Sequence, residues 1–455
     1  MGVNKLVKRT LISAAITFGF ATAGTANAID WLMVQGTEPA AAAVPAHVFG
    51  FVQANYMKDY SSANAAGGYV PPKLLGPNLT SQSGFNVLHA QVGVRGTGFP
   101  FDDHINYFML LEAGNAATSP NGPALTDASI TLNYIKGARV RVGLFKYPGS
   151  EEAMQSTIAT TYMDFSEVTN ALLLERFPNA GFTPCVTGDP TCAGPNVASG
   201  NVGPYTLAQL QAGYSLNTFN APAGGFRDSG IQVFNDFDMG NDWSLTYAAM
   251  VGQGSGIQLQ NTDGKYDTYL YLATEKNLAT KGPANGLKFY IWSQSGERLL
   301  EKTLGAGLTS YKRDRSGFGV HYMAKPYRVS FEYISADGMI FEGPDKPNFT
   351  FASTNGSTAK ANGWYLDGGW YVPGTKWELD ARYDTVDLNT GATDEHKFTK
   401  STLGVKYNFN PRAHVTLNYE LRDFKCTAST TPCTNANKNL SGVGNKVGVR
   451  VTTAF

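Results

Sequence analysis

Charged side chains recur at every second residue in several stretches of this chain, with apolar residues between them. From 376 to 384 the charged set is Lys376, Glu378, Asp380, Arg382 and Asp384, and the residues between are Trp377, Leu379, Ala381 and Tyr383. His414, Thr416, Asn418, Glu420 and Arg422 alternate with Val415, Leu417, Tyr419 and Leu421 in the same way. Arg139 and Arg141 alternate with Val140, Val142 and Leu144. At the period of a β-strand, acids and bases of both signs then share one face. Such a face can attract and pass ions, and the candidates for ion contact are Arg95, Arg139, Arg141, Arg176, Arg382 and Arg422, with Glu378, Asp380 and Glu420 beside them. For any single arginine the competing role is a salt bridge that stiffens the wall.

Other chemistry is thinly represented. The six histidines (His47, His89, His104, His321, His396 and His414) share no partner spacing that would make a catalytic base or a metal site. No glycine-rich phosphate loop leads from a strand into a helix, so Gly93-x-x-Gly96 reads as strand punctuation. Cys-x-x-Cys-His is absent, so the chain attaches no c-type haem, and no cofactor or enzymatic activity is expected. Four cysteines fall at two equal spacings, Cys185 to Cys192 and Cys426 to Cys433, in loops rich in Thr, Pro and Asn. Of the three possible pairings, two local disulfides are expected in an exported protein.

Export is written at the start. Lys5, Lys8 and Arg9 precede an apolar run from Leu11 to Phe20, and Ala26-Asn27-Ala28 offers a cleavage site, so residues 1–28 read as a signal peptide. Without that leader, 33 basic residues face 36 acidic ones, a balance that argues against nucleic acid as a partner. No later stretch approaches the roughly 18 consecutive apolar residues of a spanning helix. A membrane protein lacking such helices must satisfy its backbone by closing a sheet. The last strand agrees: Val447, Val449, Val451, Thr453 and Phe455 alternate with Lys446, Gly448, Arg450 and Thr452. A terminal aromatic on such a strand marks a transmembrane β-barrel of the outer membrane.

The elements that would position the charged face follow from the same alternation. Strands are expected near 47–56, 85–97, 104–114, 126–136, 138–147, 228–238, 242–252, 265–275, 285–295, 315–325, 327–337, 362–372, 376–387, 399–409, 413–424 and 445–455. The short connections carry turn chemistry, as in Lys136-Gly137, Met239-Gly240-Asn241-Asp242, Pro373-Gly374 and Asn410-Pro411-Arg412. Both ends of the chain on the periplasmic side demand an even count, so 296–314 belongs to a long ninth strand or a structured loop, giving about 16 strands. The fold class is thus an all-β, antiparallel transmembrane barrel over 47–455, preceded by a short periplasmic segment at 29–46 that ends as a tail or a plug. Every strand's inner face is expected to be polar and mixed in charge, and to hold water.

The connection 148–226 is far longer than a joining loop requires. It is expected to fold into the lumen, with capping of the outside as the alternative, and to carry a helix from Tyr162 to Arg176. Its charges are Glu151, Glu152, Asp164, Glu167, Glu175 and Asp189 against Arg176.

Three stretches resemble the phosphate-selective porin O and P family of outer-membrane porins. They are Arg141-Val-Gly-Leu-Phe-Lys-Tyr-Pro-Gly-Ser150 leading to Leu174-Glu175-Arg176-Phe177, Gly363-Trp-Tyr-Leu-Asp-Gly-Gly-Trp-Tyr371, and Leu403-Gly-Val-Lys-Tyr-Asn-Phe-Asn-Pro411 with Thr416-Leu-Asn-Tyr419. The resemblance implies a 16-stranded, trimeric barrel with a large loop in the pore and a basic ladder for anions. Here the loop is net acidic, and opposite charges 4 Å apart at an effective dielectric near 20 attract by about 4 kcal/mol. The expected function is therefore a water-filled channel for small hydrophilic solutes or ions, weakly selective, with anion or phosphate preference the finer question. A rival from another class is a sleeve around a multihaem cytochrome partner, which would bring its own haems.

Overall fold

The computed structural model describes residues 30–34, 46–61, 83–97, 102–116, 118–119, 122–174, 183–184, 202–203, 224–257, 264–278, 286–300, 309–341, 349–350 and 359–455. Sixteen strands hydrogen-bond in chain order and the last returns to the first, closing a barrel. They are β1 (His47–Asp59), β2 (Ser83–Thr97), β3 (Ile105–Glu112), β4 (Ala124–Ile135), β5 (Ala138–Lys146), β6 (Arg227–Gly240), β7 (Trp243–Gly252) and β8 (Asp267–Asn277). The second half comprises β9 (Gly286–Leu300), β10 (Thr309–Ala324), β11 (Tyr327–Asp337), β12 (Lys360–Tyr371), β13 (Trp377–Leu388), β14 (His396–Asn410), β15 (Ala413–Cys426) and β16 (Lys446–Ala454). Every pair is antiparallel, and closure runs through β1 and β16, for example Tyr56 opposite Val449. Stretch 296–314 resolves as expected from parity: β9 extends to Leu300 and β10 starts at Thr309.

Short connections cluster at the end where the chain terminates, and long ones at the other, which fixes the periplasmic and external rims. The β6–β7 hairpin turns through Gly240, Asn241 and Asp242, all at positive φ (+76°, +53° and +64°), where Gly and Asn are the tolerated residues. Outward positions are apolar and exposed, among them Met109, Ile130, Ile291, Leu379, Leu417 and Val451. Toward the periplasmic rim, Trp377 meets Tyr407 edge-on at 4.7 Å and Phe237 stacks on Tyr247, the aromatic girdle a membrane interface favours. Val140 and Val142 follow the expected outward parity, but Leu144 is buried. Gly143 beside it takes a φ of +129°, and the alternation fails beyond it, Leu144, Phe145 and Lys146 all being buried.

The interior departs from a uniformly wet wall. Residues following β5 enter the barrel as α2 (Glu151–Met154), a 3-10 turn (Thr157–Ala159) and α3 (Glu167–Leu172). The N-terminal helix α1 (Trp31–Val34) is also inside, with Leu32 fully buried against that loop's cluster. A dry core joins Leu32, Met154 and Leu172 of the inserted segments to Tyr271, Trp292 and Ile334 of the wall. The inner faces of β7–β9 supply the wall side of this core through Ala248, Met250, Tyr269, Tyr271, Tyr290 and Trp292, while Thr246, Asp267, Glu275, Lys288 and Arg298 keep the same strands polar and mixed in charge. What departs from expectation is a lumen filled by packed apolar side chains over part of its wall. An inserted loop needs an apolar seat to outweigh its ordering entropy. Of the segment 29–46, expected to be a short periplasmic tail or a plug, residues 30–34 lie within the lumen.

Candidate channel constriction

The loop is held by cations of the wall that donate to its backbone. Four successive carbonyls are taken this way. Arg450 on β16 donates to Tyr162 O at 3.4 Å and Met163 O at 2.6 Å, Arg382 on β13 to Asp164 O at 2.9 Å, and Lys400 on β14 to Phe165 O at 2.9 Å. Residues 162–165, drawn toward the wall by these donors, are not helical, and the expected helix from 162 begins only at Glu167 and runs to Leu172, capped by Ser166. Lys146 holds Ala153 O and Gln155 O at 2.9 and 2.7 Å, and Arg315 holds Leu172 O at 2.9 Å.

Loop acids meet wall cations in turn. Glu151 lies 2.6 Å from Lys288, Glu152 3.0 Å from Arg382 and Glu167 2.9 Å from Lys400, while Asp164 contacts Lys446. Burial would raise the Glu167 carboxyl, but the charge and hydrogen bond of Lys400 outweigh it and hold the group below the usual glutamate range. Two wall glycines make room for the loop. A Cβ on Gly363 would sit 2.9 Å from Val168 Cγ2, and one on Gly448 would sit 2.7 Å from Met163 Sδ.

The sequence-derived candidates among the described residues fall into three groups. Arg382, Glu378, Asp380, Glu420 and Arg422 face the lumen, each within a network. Arg328 reaches Asp367 at 2.5 Å, Asp380 at 2.8 Å and Glu378 at 3.9 Å; Lys406 reaches Glu378 at 3.2 Å. Lys446 lies 3.5 Å from Glu420, and Arg422 pairs with Asp59 at 2.6 Å. Arg141 instead packs over the Phe234 ring at 4.4 Å and donates to Leu32 O at 3.5 Å, and Arg139 sits 3.7 Å from Asp236. These two serve the seat of α1 rather than the constriction. Arg95 faces the opposite, β1–β5 side of the lumen, its guanidinium over the Phe49 ring at 5.6 Å. Arg176 lies outside the described residues, as do Glu175, Asp189, Cys185 and Cys192. The second expected disulfide, Cys426–Cys433, is formed and fastens α4 (Thr431–Leu440) to the end of β15.

Arg328, Lys400, Lys406, Lys446 and Arg450 were missed as candidates, although each occupies an inward position of an alternating strand. Strand parity alone could have found them.

Three cavities surround the 3-10 turn, all lined by Thr157. One of about 140 Å³ lies toward the external rim beside Leu174 and Arg422. A second, of about 360 Å³, runs along β10–β16 past Arg328, Asp367, Arg382, Lys406 and Arg450 to Lys325 near the periplasmic rim. The third, of about 210 Å³, lies along β1–β5. Trp31 of α1 borders the second and third. Spaces this small leave no room for a cytochrome domain, so the sleeve reading is not supported.

A lipid-facing closed barrel of 16 strands, narrowed by its own loop and bordered by charged cavities, defines a porin of the Gram-negative outer membrane, a channel for solute diffusion. The chain belongs to the phosphate-selective porin O and P family, whose model matches residues 77–443. No curated protein is similar enough in sequence to match. Among solved structures, an anion-selective porin from Comamonas acidovorans is 15% identical, covers 90% of this chain and 99% of its own, and has a TM-score of 0.50. The outer-membrane channel DcaP of Acinetobacter baumannii is 12% identical over 92% and 100%, with a TM-score of 0.48. OmpT of Vibrio cholerae, in a trimer form, is 12% identical over 90% and 99%, with a TM-score of 0.47. The Comamonas likeness agrees with the barrel fold, and family and fold together imply a channel rather than an enzyme.

Proposed function

We propose that the protein is a weakly charge-selective general porin for small hydrophilic solutes and ions, with a slight preference for anions. The supporting observation is the pairing of the lumen charges. Arg328, Arg382, Lys400 and Lys406 each have a carboxylate within 3.2 Å, so the basic residues do not form an unneutralised ladder. Paired charges attract passing ions far less than isolated ones. Basic side chains slightly exceed acidic ones along the cavity of about 360 Å³, which supports the small anion bias. Arg95, Arg382, Arg422, Glu378, Asp380 and Glu420 are the lining residues that tune it.

The active unit is a homotrimer exported through cleavage after Ala28, in keeping with the family resemblance and with the trimer form of the Vibrio protein. Reversal potentials in a KCl gradient test the reading. A modest, salt-sensitive anion preference is expected, unaffected by millimolar phosphate. Strong anion selectivity, or block of chloride current by phosphate, would replace it with a phosphate-selective channel, and cross-linking in membranes decides the trimer.

A further inference from the structure

The cavity along β1–β5 differs from the rest of the lumen. Inward positions of β1 and β3 carry Phe49, Phe51, Phe108 and Leu110, all bordering this space. They form a continuous patch by register: Phe49 and Leu110 both lie opposite Gly93, and Phe108 lies opposite Arg95. The missing side chain at Gly93 is what lets the Phe49 ring lean over β2, where a Cβ would sit 2.5 Å from its Cζ. Phe49 and Phe108 contact each other at 5.5 Å and keep part of their surface open. A passage for hydrated inorganic ions gains nothing from open phenyl rings on its wet side, where they cost hydration free energy.

The charged side chains bordering the same cavity are mostly basic: Arg95, Lys146, Arg227 and Arg412. Arg95 lies over the Phe49 ring, and Lys146 is held by the carbonyls of residues 153 and 155. Arg227 is matched by Asp127 at 3.0 Å, the one acidic side chain among the described residues that line the cavity, with the chain-terminal Phe455 at its edge. Backbone carbonyls of the loop fix the position of Lys146 Nζ at the edge of the cavity. An apolar wall with convergent cations is the chemistry of a site for an amphipathic anion.

On the porin reading above, we infer that this cavity binds small aromatic carboxylates, the ring against Phe49 and Phe108 and the carboxylate toward Lys146 and Arg95. Such acids then have a side path through the barrel that inorganic phosphate does not use.

Titration calorimetry on the full-length mature protein in detergent tests the site without relying on conduction. Benzoate is expected to bind in the millimolar range, at least tenfold more tightly than acetate, which lacks the ring, or benzyl alcohol, which lacks the charge. F49A/F108A, checked for folding by heat-modifiable mobility, should lose at least tenfold in benzoate affinity. In bilayers, benzoate should interrupt chloride current where acetate does not. Equal affinity for benzoate and acetate, or no benzoate binding by the native protein, overturns the site even if KCl conductance is normal. Benzoate binding without any KCl conductance would uphold the site and instead remove the porin reading.

Discussion

Arg450 and Met163 stand 287 residues apart in the chain and 2.6 Å apart in space, the guanidinium of the last strand donating to a loop carbonyl. The same arginine donates to Asn55 at 3.1 Å, so it ties the barrel's closing seam to the loop inside it. With Arg382 and Lys400 it makes the wall's basic residues part of the loop's backbone hydrogen bonding. Positive charge here holds structure first and meets solute second.

Replacing Arg450 by Met should therefore loosen the loop while leaving the barrel closed. A hydrogen bond to a charged group contributes about 2 kcal/mol, and the orphaned carbonyl of Met163 adds its own desolvation penalty. The expected result is a larger and noisier single-channel conductance, with trypsin cleavage appearing within residues 148–226. Unchanged conductance would show that the remaining anchors suffice.

Gly363 offers a steric test of the same seating. A valine there must displace Val168 of α3 or the Thr385 carbonyl, which lie 2.9 and 2.4 Å from the new Cβ. Overpacking of this kind costs typically 1–3 kcal/mol. Gly363→Val should raise conductance with little loss of heat-resistant mobility, whereas Gly363→Ser, closer in size, should fall between. Identical conductance in all three would mean that α3 does not narrow the pore.

Much of this architecture was legible in residue order. Alternation located the strands and assigned Glu378, Asp380, Arg382, Glu420 and Arg422 to the lumen, because a lipid face tolerates charge so poorly that parity leaves one choice. Loop insertion was harder to read. Helical propensity from Tyr162 onward is a local quantity, while the cations that claim carbonyls 162–165 come from strands more than 200 residues away. For the same reason Arg141 looked like an ion contact. Its stack is on Phe234 of the neighbouring strand, and its bond to Leu32 depends on α1, whose insertion leaves no periodic signal in four residues.

Acidification should release the loop at one anchor. The folded Glu167 carboxyl lies below its ordinary value, so its pairing with Lys400 contributes fully above about pH 4.5 and fades as pH falls through the lowered value. Asp384, which accepts from the Glu167 backbone N–H at 2.7 Å, and Glu420 share the neighbourhood. Conductance measured from pH 7 to 3 should stay level and then rise or become noisy at the acidic end. In Glu167→Gln that acid step should be reduced, the loop already lacking the ionic contact at neutral pH. A step of full size in the variant would assign it to the neighbouring acids.

The N-terminal segment provides the largest expected change. Leu32 is fully buried among aromatic side chains, and Asp30 accepts from Thr246 at 2.8 Å with Lys288 3.9 Å away. Burying a leucine contributes about 1.5–3 kcal/mol, enough to keep α1 seated against its ordering cost only together with these polar contacts. Trp31 borders both the β10–β16 and the β1–β5 cavities. Deleting residues 30–45 from the mature chain should merge the two spaces and raise single-channel conductance well above the native value. Leu32→Glu should approach the deletion, because a carboxylate placed in the apolar cluster that Leu32 shares with Tyr271 and Met154 carries a desolvation cost that favours expulsion of the helix. If both variants conduct like the native protein, α1 lies off the solute path and the pore runs wholly along the far wall.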